Sequence, residues 1–161
     1  MKVKNMILEA ARWLAVVAAV VCLLIQFGGN TVSNAVFEDV SAAVVETVDT
    51  TNMVLAENQM VKRLYGIDPA AYEGCVLYYP ATNMMAEEVL LVKMADVSQA
   101  AEVQAAMEKR LQTQKNTFEG YGVEQFDLLT NYCVLEVRGN FALFVVSKTC
   151  TDAQKAFQGA L

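Results

Sequence analysis

The chain contains no histidine. That absence removes the commonest general base, the usual partner of a nucleophilic serine or cysteine, and the most frequent transition-metal ligand. Cysteine is scarce. Cys22, Cys75, Cys133 and Cys150 are too few and too far apart for a disulfide scaffold, and no CxxC pair points to zinc or thiol redox chemistry. Cys22 lies in an apolar run, so at most one bridge could form among the other three, and buried inert thiols are the simpler expectation. Basic residues are scattered and the formal net charge is −6, which argues against a nucleic-acid surface. There is no Walker loop, GxGxxG, zinc motif or EF-hand. The reading therefore expects no catalytic set, no cofactor and no metal site, and does not favour an enzyme.

Apolar side chain, by contrast, is abundant. It makes up 55% of the chain, enough to fill one core with residues to spare. Much of the surplus is N-terminal: Lys2, Lys4 and Arg12 precede the run Trp13 to Phe27, in which Gln26 alone is polar. Trp13, Leu14, Val17, Val21, Leu24 and Phe27 mark a membrane span. Fifteen helical residues cover about 22 Å of a hydrocarbon core of about 30 Å. Met6 to Ala11 lengthen the apolar face, and Glu9 and Arg12 can pair at the interface. No further basic residue occurs before Lys62, which places the N-terminus in the cytoplasm and the rest outside as a single-pass membrane protein. A second reading is a cleaved signal peptide, since Ser33 and Ala35 are small residues before a cut after Ala35, and the domain would then be secreted.

Residues 1–30 are thus read as anchor or signal, 31–74 as helical linker and cover, and 75–161 as the main domain. Gly28-Gly29-Asn30 breaks the first helix, and Ser33 is a candidate cap for the next. Phe37, Val40, Val44 and Val48 recur at helical spacing. A further helix is expected over Glu57 to Tyr65, with Gly66 as its stop, followed by a short turn opened by Asp68-Pro69 and closed by Gly74.

From Cys75 the chain repeats a pattern of two strands and a helix. The first copy runs CVLYYP, a loop, EEVLLVK and a helix from Asp96 to Phe118. The second runs CVLEVRGN, FALFVVS and a helix from Thr151. Asp96 to Gln99 and Thr151 to Gln154 both have the capping-box pattern, and Gly139-Asn140 supplies a tight turn. Val103, Met107, Leu111 and Phe118 form one helical stripe. The expected fold is α+β: a four-stranded antiparallel sheet built from two ββα repeats, with both repeat helices on one face. Val76, Tyr78, Val134, Phe144 and Val146 are assigned to the other face, covered either by the helices between Asn34 and Tyr65 or by a second subunit.

Candidate chemistry is thin. Glu87-Glu88 opens a strand and reads as a solvated edge. Ser147-Lys148 are strand neighbours and cannot face each other as a dyad. Cys75 and Cys133 hold equivalent places in the repeats, and either bridge if their strands adjoin or sit in the core. The segment Tyr78 to Met85 makes the first hairpin longer than the second, and Tyr78, Tyr79, Thr82, Asn83, Met84 and Met85 are the candidate interaction residues.

The stretch Leu64-Tyr65-Gly66-Ile67-Asp68, the strand pair after it, the helix through Lys109-Arg110-Leu111 to Phe118-Glu119-Gly120-Tyr121, and the turn Val137-Arg138-Gly139-Asn140 resemble the domain-of-unknown-function family four-three-five-eight. The resemblance runs from Val54 to Leu161. It implies an exported or membrane-anchored protein of Gram-positive anaerobes and carries over no catalytic residue. The leading functional expectation is a membrane-tethered, outward-facing binding or interaction module of the cell envelope, with a protein or envelope partner. The alternatives are an envelope enzyme or enzyme subunit using carboxylates on wall polymer or peptide, and an accessory subunit of a transport or secretion complex.

Overall fold

The computed structural model describes residues 32–161, which form one compact unit. The expected span from Trp13 to Phe27, with Leu14, Val17, Val21 and Leu24, lies outside the described residues. Among the described residues no helix is long and apolar enough to cross a membrane.

The fold is built around two strands, β3 (Glu88–Lys93) and β5 (Phe141–Val146), that are buried on both faces. Their sequences, EVLLVK and FALFVV, are almost continuously apolar, which is the composition of a strand that meets protein on either side. Around them lie β1 (Met53–Leu55), β2 (Gly74–Pro80) and β4 (Cys133–Arg138), in the order β1-β2-β3-β5-β4 with every pair antiparallel. The α+β class holds, but the sheet has five strands. The fifth, β1, comes from the segment read as helical linker; it is only three residues long, too short for alternation to register in the sequence.

Helices cover both faces. On the first, α2 (Asn58–Tyr65), α3 (Ala100–Phe118) and α4 (Val123–Asn131) pack over Leu77, Leu90, Val92, Ala142, Phe144 and Val146. On the second, α1 (Phe37–Val45) and α5 (Cys150–Ala160) pack over Val89, Leu91, Phe141, Leu143 and Val145. The two repeat helices, α3 and α5, therefore lie on opposite faces, not on one. The reason is the doubly apolar central pair: each face of β3 and β5 needs its own cover, and α1 alone is only nine residues long. Val76, Tyr78 and Val134 do face the second core, whereas Phe144 and Val146 belong to the first.

Local signals largely hold. Gly66 ends α2 in the left-handed region (φ 75°), where a side chain would be strained. Asp68 accepts from the Ala70 amide and opens the short turn at Pro69. Asp96 and Gln99 form a reciprocal capping box ahead of α3. Gly139 (φ 58°) takes the first central position of the β4–β5 turn. Two caps differ. Ser33 does not cap α1; it is held against the turn and the C-terminus, its amide donating to Asn140 Oδ1 (2.8 Å), its carbonyl accepting from Asn140 Nδ2 (3.2 Å) and its hydroxyl donating to the Leu161 carbonyl (3.0 Å). Thr151 caps nothing, because α5 begins a residue earlier, after Thr149. The helix α4, between the repeats, was not legible as an element.

Candidate functional site

Glu88 opens β3 on the first face of the sheet, in phase with Leu90 and Val92. It is wholly buried, the reverse of the solvated edge its sequence position implied. An ionised carboxylate taken out of water must be given charge and hydrogen bonds in return. Three residues supply them. The Tyr65 hydroxyl, from the last residue of α2, donates to Oε1. Arg110, from α3, donates through Nε (3.1 Å to Oε1) and Nη2 (2.6 Å to Oε2). Gln114, one turn further along α3, donates through Nε2 to Oε2 at 2.8 Å.

The helix places these donors by its period. Val103, Met107, Gln114 and Phe118 are buried and Arg110 nearly so, at steps of three or four, so the two polar residues stand in the same stripe as the apolar ones. That stripe was the available signal: carrying it through Leu111, which is only half-buried, hid Arg110 and Gln114. The Tyr65 ring is steadied edge-on against Phe144, centroids 6.2 Å apart.

Electrostatics make the cluster a fixed unit. Burial, with the neighbouring Glu88 carboxylate second, pushes the Tyr65 phenol well above the ordinary tyrosine range, so it serves as a donor. Burial alone would lower the Arg110 guanidinium, but its hydrogen bonds and attraction to Glu88 outweigh this and hold it above its usual value. The orientation of Gln114 follows. An ionised Glu88 accepts only, so the amide nitrogen must face it and Oε1 must face away. That oxygen is buried without a partner among the described residues.

Arg110 and Gln114 also form part of the wall of a cleft of about 330 Å³. Its other walls are α2 (Met60, Arg63, Leu64), the end of α3 (Thr117, Phe118) and the loop after β2. Of the residues expected to form an interaction loop, Tyr79, Thr82, Asn83 and Met85 line this cleft. Tyr78 points to the opposite face and lines a more open groove of about 530 Å³ beside α1, and Met84 is exposed to solvent. The loop is tied at both ends: the Ala81 amide donates to the Asn52 carbonyl (2.9 Å), and the Ala86 amide to Gln125 Oε1 of α4 (2.9 Å).

The remaining candidates resolve simply. Cys75 and Cys133 sit on β2 and β4 with β3 and β5 between them, so their strands do not adjoin and the two thiols are free. Burial pushes each thiol up to about 11, which keeps them protonated and unreactive. Ser147 bonds to Thr149 (3.0 Å between hydroxyls) while Lys148 is exposed, so they form no dyad.

The chain matches the family described as Domain of unknown function (DUF4358) over residues 46–147. The protein belongs to this family. The DUF4358 match contains all four residues of the buried cluster and the loop above it, whereas α1 and α5 fall outside it. No curated protein and no solved structure matches the chain.

Proposed function

We propose that this DUF4358 protein is a membrane-tethered module facing outward from the cell, and that it binds its partner or ligand in the cleft between α2, α3 and the loop after β2. The observation that carries the reading is the cleft itself. At about 330 Å³ it has the dimensions of a small-ligand site, mixing apolar walls with a few placed polar groups. Two of its wall residues, Arg110 and Gln114, are held in a preorganised network with the buried Glu88 and Tyr65.

Tethering rests on the apolar run from Trp13 to Phe27 and on the absence of basic residues between Arg12 and Lys62. Retention of the anchor is supported by Ser33. A cut after Ala35 would detach a residue that makes three hydrogen bonds to Asn140 and Leu161. The reading as an envelope enzyme asks for two acids converging in a cleft, and among the described residues no carboxylate lines this one.

The test is capture of the full-length chain from gently solubilised native membranes, comparing wild type with Arg63→Glu/Asn83→Lys. Both residues are exposed, so the fold should tolerate the change. A stoichiometric companion retained by wild type and lost from the variant is the expected result. Equal recovery from both would remove the cleft from the account.

A further inference from the structure

Resting on that reading of the cleft, three features of its walls specify a ligand chemistry. First, Gln114 is a wall residue whose Oε1, closed to solvent in the empty cleft, has no donor among the described residues and is held in place because Nε2 is committed to Glu88. A buried acceptor left unpaired is costly, and a ligand N–H that reached it would remove that cost. Second, the cleft carries cationic donors to spare. Arg63 makes no salt bridge among the described residues, and Arg110 gives Nε and Nη2 to Glu88, so its Nη1 remains without a partner among them. With Glu88 balancing Arg110, the site keeps about one net positive charge. Although the whole chain is acidic, at −6, charges beyond about 8 Å are screened at physiological salt and the local pair decides. Third, Met60, Leu64 and Phe118 give an apolar wall, and Met60 and Met85 are flexible side chains able to yield to a guest.

A donor N–H, a carboxylate and an apolar side chain occur together, on adjacent atoms, at the end of a peptide. We propose that the cleft receives the carboxyl-terminal residue of a peptide with an apolar last side chain. Arg63 and Arg110 Nη1 hold the carboxylate, Gln114 Oε1 accepts from the last amide N–H once the wall's side chains have moved aside to uncover it, and the side chain lies against Met60, Leu64 and Phe118. A planar guanidinium matches a carboxylate well, which favours this end of a peptide over its amino terminus.

The experiment titrates full-length protein in lipid nanodiscs with three probes: N-acetyl-alanyl-leucine, its C-terminal amide, and its analogue methylated on the leucine nitrogen. The free acid should bind saturably, and the amide and the N-methyl analogue should each bind at least about tenfold more weakly, the loss of one charge-assisted or buried hydrogen bond. Arg63→Ala should narrow the gap between acid and amide while leaving the N-methyl penalty intact. Equal binding of acid and amide, or no saturable binding of the acid, overturns the proposal. If the acid fails to bind while capture from membranes still depends on Arg63 and Asn83, only the ligand chemistry falls. If capture is also indifferent to them, the cleft reading falls with it.

Discussion

A carboxylate taken wholly out of water is the most demanding side chain in this fold, and the fate of Glu88 shows how the demand is met. Its pair with Arg110 is weak evidence of net stabilisation, since desolvation offsets most of the attraction. Breaking it is another matter. Glu88→Leu would leave Arg110 without its anion in a site where that side chain is only 13% exposed, and should lower unfolding free energy by about 3–5 kcal/mol in urea titration. Glu88→Leu combined with Arg110→Met should recover most of the loss, which separates the penalty of a stranded charge from the worth of the pair. A single mutant as stable as wild type would contradict the described network. The thiols give a second prediction. Cys75 and Cys133 are raised from 9.0 to about 11 by burial, so the folded chain holds these protons where the unfolded chain releases them. Their contribution is full below pH 9 and declines as pH rises through about 11. Stability measured across that window should fall, and Cys75→Ala/Cys133→Ala should flatten the decline. Neither Glu88 nor its partners was legible as a cluster. A glutamate beside a glutamate at a strand start looks solvated until the strand is known to be central, and donors from α2 and α3, 22 to 26 residues away in sequence, give no local sign.

At the scale of elements, what was legible followed periodicity and caps. The helix stop at Gly66, the capping box at Asp96 and the turn at Gly139-Asn140 are short-range devices, and each sits where the sequence put it. What was missed depends on partners. The strand β1 is defined by its pairing to Tyr78, Tyr79 and Pro80, and the helix α4 by packing Leu128 and Leu129 onto the first core. Gly74 illustrates the same point. Read as the end of a turn, it starts β2, and a Cβ there would run into the Phe37 ring at the start of α1. Gly74→Ala should force that ring aside and cost about 1–3 kcal/mol by thermal or urea melting. A neutral result would mean that α1 is not seated on β2. The clamp at Ser33 is equally testable. Asn140→Ala removes two hydrogen bonds to it and should cost about 1–2 kcal/mol in the same assay, whereas unchanged stability would free the segment entering the domain from the β4–β5 turn.

For the molecule as a whole, the sheet and the helices that line the cleft fall almost entirely within residues 46–147, the span that defines its family, while α1 and α5 lie on the opposite face and outside it. The account therefore assigns recognition to one side of the sheet and treats the other as cover. It predicts contact at one place, on the outer side of the membrane. Met84 is the exposed tip of the loop above the cleft, and Lys155 is exposed on α5 across the sheet. The most direct test places a photo-cross-linking residue at either position in the full-length chain and illuminates intact cells. The account predicts a discrete adduct from position 84 that is absent from position 155. Adducts from both positions alike, or from neither, would contradict it.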